Sequence, residues 1–191
     1  MQFSFERYTS QELAQKEWLP ELVKLINDAY LYRKKDPVGH TQPRLENEQE
    51  LLNDLGETGF TTVAFDADRK IVATASVKPW KDEGLWIPAE GQLETPEKCP
   101  GDYEIILVVV KDDPNYRGKG LSDALLELCY QTLREREERP PRLMLKVIQE
   151  LYGPYWGKKG YKIVAKQHCE SGTWGIQRSF TLLAMAQVLP M

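Results

Sequence analysis

The six consecutive apolar residues Ile105-Ile106-Leu107-Val108-Val109-Val110 constrain the fold more than any other stretch of the chain. A strand with one wet face alternates apolar and polar side chains, so an unbroken apolar run describes a strand covered on both faces. A chain that contains it must carry packing layers on both sides of a sheet. The residues after the run narrow the choice. The polar loop from Lys111 to Tyr116 leads into Arg117-Gly118-Lys119-Gly120. A helix then begins at once, with Leu121, Ala124, Leu125, Leu128, Cys129 and Leu133 at helical spacing. A helix start presents bare N–H groups and the positive end of the dipole, and glycine lets a ligand approach the backbone. Strand, basic glycine loop and helix therefore suit a phosphorylated ligand.

The rest of the chain supplies the layers. Phe3 to Tyr8 alternates like a half-buried strand, and Thr9 or Ser10 can cap a helix after it. Trp18, Leu22, Leu25, Ile26, Ala29 and Tyr30 share a helical face, with Pro20 placed to start a second helical piece. Lys34 to Arg44 reads as a loop, and Glu46 to Leu55 as a helix ended by Gly56. Thr61–Phe65 and Ile71–Val77 read as strands of a hairpin whose turn is Asp66–Lys70. Lys78 to Asp102 is rich in proline, glycine and acid. It reads as a long loop, either a lid or a surface insertion. A strand near Leu143–Val147, a helix around Tyr152–Lys159 ended by Gly160, and strands at Lys162–Lys166 and Ile176–Leu183 complete a single α/β domain over residues 1–191.

Composition excludes several classes. The net charge of −4 disfavours general nucleic-acid binding and favours cationic partners such as amines. No apolar stretch reaches membrane-spanning length, and the first residues lack a secretory pattern, so a cytoplasmic location and no membrane partner are expected. Cys99, Cys129 and Cys169 are scattered and odd in number, which argues against a disulfide framework and against a metal site. The glycine loop is no Walker loop, because Gly120 follows Gly118-Lys119 and Asp113 stands in place of the upstream glycine. Asp123 takes the place of the third glycine of a dinucleotide fingerprint.

Asn115-Tyr116-Arg117-Gly118-Lys119-Gly120 instead resembles the Gln/Arg-x-x-Gly-x-Gly/Ala motif of the GNAT N-acetyltransferase superfamily. Gln149 to Tyr161 is similar to that family's later block, Asn-x-x-Ala-x-x-x-Tyr-x-x-x-Gly-Phe. The order of elements also agrees. The resemblance implies a three-layer fold with a mixed central sheet flanked by helices, and acetyl-CoA as co-substrate. It places the pyrophosphate on Asn115, Tyr116, Arg117, Gly118, Lys119, Gly120, Leu121 and Ser122. It lays the pantetheine arm along Val108, Val109 and Val110, with Gln149 and Trp156 from the later block nearby. Asn115 replaces the motif's first long polar residue, and Ser122 stands where many members have glycine.

The same resemblance marks Glu104 as general base, at the spacing seen in the histone-acetylating branch. Strand alternation would place its side chain with Ile106, Val108 and Val110, beside an apolar wall that raises its pKa. The family's tyrosine acid is Trp156 here, whose indole is too weak an acid; Tyr152, one helical turn earlier, is the alternative, and Tyr155 points elsewhere. Trp80 and Trp86 are candidates to line an acceptor pocket, while His40 and His168 read as structural or solvated. The expected activity is acetyl transfer to a primary amine of a small molecule. A non-catalytic acyl-CoA-binding module and a protein or peptide acetyltransferase remain open alternatives.

Overall fold

A computed structural model describes residues 2–31, 38–81, 86–89 and 102–190. Strand β1 (Ser4–Thr9) runs into the short helix α1 (Ser10–Leu13). Thr9 and Glu12 form a reciprocal capping box there: Glu12 N–H donates to Thr9 Oγ1 at 3.3 Å, and Thr9 N–H donates to Glu12 Oε2 at 2.8 Å. Helix α2 (Leu19–Leu31) carries Pro20 in its first turn, where the missing N–H costs nothing. Helix α3 (Glu48–Leu55) ends at Gly56, which has φ +62°. The hairpin β2 (Phe60–Phe65) and β3 (Ile71–Pro79) comes next, closed by the Asp66 carboxylate, which accepts from the N–H groups of Asp68 and Lys70. The chain continues through the two-residue β4 (Ile87–Pro88), then β5 (Asp102–Val110), α4 (Leu121–Arg136), β6 (Arg142–Ile148), α5 (Gln149–Lys158), β7 (Lys162–Cys169) and β8 (Phe180–Val188).

The strands form one sheet in the order β1-β2-β3-β5-β6-β8-β7-β4. Every pairing is antiparallel except β5 with β6, which helix α4 connects as a crossover. One face of the sheet packs on α1, α2 and α3 through Leu13, Leu22, Ile26, Leu51, Leu55 and Val63. The other packs on α4 and α5 through Leu125, Cys129, Leu133, Leu145, Trp156 and Tyr161. The two-faced burial expected for the apolar run is therefore present, as is the mixed sheet between helical layers.

Two expectations shift. The last strand begins at Phe180, because Ile176 instead makes an isolated bridge with His40 after a 3-10 turn at Thr173–Gly175. The expected loop Lys78–Asp102 is shorter than its sequence suggests: Lys78 and Pro79 extend β3, Ile87–Pro88 pair with β7, and Asp102 opens β5. Residues 82–85 and 90–101, and with them the lid expectation and Cys99, lie outside the described residues.

Candidate functional site

The glycine loop is shaped by its own backbone bonds. Asp113 turns it, accepting from Asn115 N–H on its carboxylate at 2.8 Å and from Tyr116 and Arg117 N–H on its carbonyl at 2.9 Å each. Gly118 and Gly120 then adopt φ +70° and +74°, a region that penalises any residue with a Cβ. Gly120 is the N-cap of α4, with no side chain to cover the helix start. The first helical bond runs from Ala124 N–H to Gly120 O at 3.0 Å, so the N–H groups of Leu121, Ser122 and Asp123 have no intrahelical acceptor. A cleft lies over these groups, lined by Val110, Arg117, Lys119, Gly120 and Ser122 among others.

Side chains of the expected contact set divide into two groups. Asn115, Arg117 and Lys119 are exposed, and Arg117 Nε lies 3.4 Å from Asp112 Oδ1. Tyr116 and Leu121 point into the core instead. The Tyr116 hydroxyl donates to Asp66 Oδ2 at 2.8 Å, which ties the loop to the β2–β3 turn. These two residues can offer a ligand only backbone.

Leu107 corrects the alternation expected of β5. It has φ +54°, a strained conformation for a leucine. Ser76 pairs with Ile106 and Thr74 with Val109, so Ala75 alone faces Leu107 and Val108 across a β-bulge. Ile106, Leu107 and Val109 pack toward α2, whereas Val108 and Val110 pack toward α4. Val108 and Val110 are thus on the opposite face from Ile106. The bulge coincides with a parting of strands. The β5–β6 ladder covers Asp102, Tyr103 and Glu104 and ends there. Past Glu104 the β6 side of β5 is unzipped toward the glycine loop.

Glu104 sits at the vertex of that split, 4% exposed, so it is buried rather than solvated at a strand start. Burial pushes its carboxyl above the ordinary range, opposed by the positive charges of Lys78 and Lys146. Both ammonium groups stand 3.8 Å from Glu104 Oε2, which has no hydrogen-bond partner. Lys78 comes from the cross-strand position on β3, and Lys146 from β6. Lys146 Nζ donates to Lys81 O at 2.9 Å and stands 4.6 Å above the Trp80 ring. Behind Lys78, Asp54 Oδ1 lies at 3.7 Å, and Arg44 reaches Asp54 at 3.5 Å. Sequence reasoning misses both lysines; the available signal is a cation beside apolar neighbours, Lys78 after Val77 and Lys146 between Leu145 and Val147.

Helix α5 places the later block. Trp156 is 5% exposed and packs edge-on against Tyr155 and Tyr161, with ring centroids 5.2 Å apart in both pairs. Gln149 and Tyr152 are exposed on the same helix. Contrary to expectation, Tyr155 turns toward the glycine loop: its hydroxyl lies 3.5 Å from Ser122 Oγ, and Lys159 Nζ stands 5.1 Å from its ring. Lys159 also pairs with Asp123 in the first turn of α4.

Trp80 is fully buried beneath Lys146, and Trp86 packs on a separate cluster with Ile148, Phe180 and Leu182. His40 stacks edge-on with Tyr30, and His168 is exposed beside Glu170. Among the described residues, no group of His, Cys, Asp and Glu is arranged to hold a metal, and no helix is long and apolar enough to cross a membrane.

Solved structures share the fold at low identity. The chain is similar to a GNAT-family acetyltransferase from Streptococcus pneumoniae (16% identity, TM-score 0.65, 99% of this chain and 100% of that one). It is also similar to ribosomal-protein-alanine N-acetyltransferase from Brucella melitensis (21%, 0.62, 97% and 99%). A third, yncA from Salmonella typhimurium, was solved with its cofactor acetyl-CoA (15%, 0.63, 100% and 96%). No curated protein sequence matches the chain. The model of the acetyltransferase (GNAT) family matches residues 19–152, well over half of the sequence, and the chain belongs to that family.

Proposed function

We propose that the protein transfers the acetyl group of acetyl-CoA to a primary amine of a small molecule, with Glu104 as general base. The observation that carries this reading is the position of Glu104. It is a buried carboxylate with a free oxygen, at the vertex where β5 and β6 part, and the opening runs from it to the glycine loop. Glu104 to Val110 spans roughly 20 Å of extended strand, a length that suits a pantetheine arm.

Acetyl-CoA fits the groups present. The pyrophosphate would lie on the N–H groups of Gly118 to Ser122, with Lys119 and Arg117 supplying charge. Ser122 and Tyr155 border the same loop. The pantetheine would add to the unzipped edge of β5 at Val108–Val110, and a backbone N–H of that edge would take the developing oxyanion. The amine nitrogen attacks the thioester carbon, the new C–N bond forms, and the C–S bond breaks. Glu104 accepts the amine proton, directly or through one water, and its raised pKa suits that task. The thiolate then takes a proton, for which Tyr152 is the candidate on this chain. The depth of Glu104 suits a slender amine.

Thiol release from acetyl-CoA, measured over a panel of amines, tests the reading. Release with at least one amine, lost in Glu104→Gln but not in Tyr155→Phe, is expected. Thermal stabilisation by coenzyme A with no thiol release from any amine would select the non-catalytic binding module instead. Turnover confined to peptides would replace the small acceptor with a protein one.

A further inference from the structure

The whole chain is acidic, but the surroundings of Glu104 are not. Lys78 and Lys146 both face Glu104, and Arg44 stands behind them with Asp54 and Glu50, so cations and carboxylates balance around the base. A simple cationic amine at the base would face two ammonium groups, each 3.8 Å from the Glu104 carboxylate.

The contacts inside this cluster are also incomplete. Lys78 is 10% exposed at the side chain, yet its nearest carboxylate oxygens stand at 3.7 and 3.8 Å, beyond hydrogen-bond reach. Glu104 Oε2 is buried and accepts no hydrogen bond. Lys146 directs one N–H to Lys81 O and approaches Glu104 at 3.8 Å. A structural ion pair of this depth normally closes to hydrogen-bond distance, because a half-satisfied buried network is costly. A group that supplies acceptor oxygens to the two ammonium groups and N–H donors to the carboxylate would complement all three.

We propose that the acceptor is a zwitterion: a small amine bearing a carboxylate or a similar anionic oxygen group, which Lys78 and Lys146 hold while Glu104 receives its amine. This rests on the acetyl-transfer reading above. It names the substrate class for the same vertex and makes the two lysines specificity determinants. The Trp80 ring beneath Lys146 fixes one cation in place, and the Asp54–Arg44 pair supports the other from behind. The two ammonium groups thus select against the cationic amines that the net charge of the chain favours.

The test compares acceptors matched in everything but the anion. Steady-state kcat/KM is measured for a series of α-amino acids, their carboxamides, and the corresponding amines without the carboxylate; aminoalkyl phosphates form a second arm. The carboxylate or phosphate arm should exceed its neutral partner by about tenfold or more, the scale of one charge-assisted contact, chiefly through KM. Whichever arm prevails identifies the anion. Lys78→Met and Lys146→Met should each erase most of that preference, with coenzyme A still raising the melting temperature as in the parent, and Lys78→Arg should restore part of it.

Equal or greater kcat/KM for neutral or dicationic amines overturns the proposal, and so does a preference that survives both substitutions. If either methionine variant fails to fold, the comparison of acceptors on the parent protein decides alone. Failure of the underlying reading looks different: no amine of any charge releases thiol. In that case, thermal shifts of the coenzyme A-saturated protein still score recognition. A shift with amino acids and none with their amides supports the zwitterion site; equal shifts refute it.

Discussion

Replacing Gly120 with alanine subjects the glycine loop to a quantitative test. Gly120 has φ +74° at the N-cap of α4, and a Cβ placed there meets no atom within 4 Å. Sterics with neighbours therefore contribute nothing, and the whole cost is the left-handed backbone, about 1–2 kcal/mol for a residue with a Cβ. That cost must surface in one of two places. If the loop holds its shape, the free protein loses the full amount, and its melting temperature falls by about 2–8 °C for a chain of this size. Affinity for acetyl-CoA then changes only through the contact of the new Cβ with the ligand. If the loop relaxes to a negative φ, the free protein keeps its stability. The ligand must then restore the strained form, which weakens binding by a factor of about 5–30. The two losses should sum to at least about 1–2 kcal/mol in either case. Calorimetric melting without ligand and titration with acetyl-CoA measure the two parts separately. Gly157→Ala is the control: it lies in α5 with ordinary φ and open space, so it should be neutral or gain up to about 1 kcal/mol. The reasoning is refuted if Gly120→Ala matches its parent in both melting temperature and affinity, or if Gly157→Ala costs as much.

Other groups give further testable outcomes. The Glu104 carboxyl is raised in the folded state, so the native protein holds this proton to higher pH than the unfolded chain does. Its contribution to stability therefore falls as pH rises from the ordinary value of 4.5 through the folded pKa, opposite in sign to a salt-bridged carboxylate. The acid limb of a kcat/KM profile should lie above the usual glutamate range. Tyr116→Phe removes a donor to the Asp66 carboxylate. It should cost about 1.5–3 kcal/mol by urea denaturation and also weaken acetyl-CoA, since the same bond ties the loop to the β2–β3 turn. Burial pushes the Cys129 thiol up to about 12, so mass mapping after alkylation should find Cys129 modified only once the protein is unfolded.

The site is legible in the sequence where residue type determines backbone. Gly118 and Gly120 announce a loop that needs positive φ, and Pro20, Thr9 and Gly56 mark helix boundaries through the same direct link. Legibility ends where geometry departs from residue preference. Leu107 holds φ +54° with a side chain that gives no hint of it, so strand alternation runs past the bulge and assigns Val108 and Val110 to the wrong face. Tyr155 is hidden for a related reason. Helical spacing fixes its angle about α5 but not where that helix docks, and docking carries it to Ser122.

Lys78 and Lys146 show a third kind of limit. Each is a cation next to apolar strand residues, which marks it as unusual, but its meaning depends on which strand lies beside it. Strand β5 is flanked by β3 on one side and β6 on the other, because α4 carries the chain across the sheet to a parallel neighbour. That topology, absent from any local pattern, brings Lys78 and Lys146 to 3.8 Å from one carboxylate oxygen. The bulge at Leu107 acts on the same place. β5 shifts its register with β3 at the bulge, just past Glu104 where its ladder with β6 ends, and the paired cations stand at the closed end of the opening.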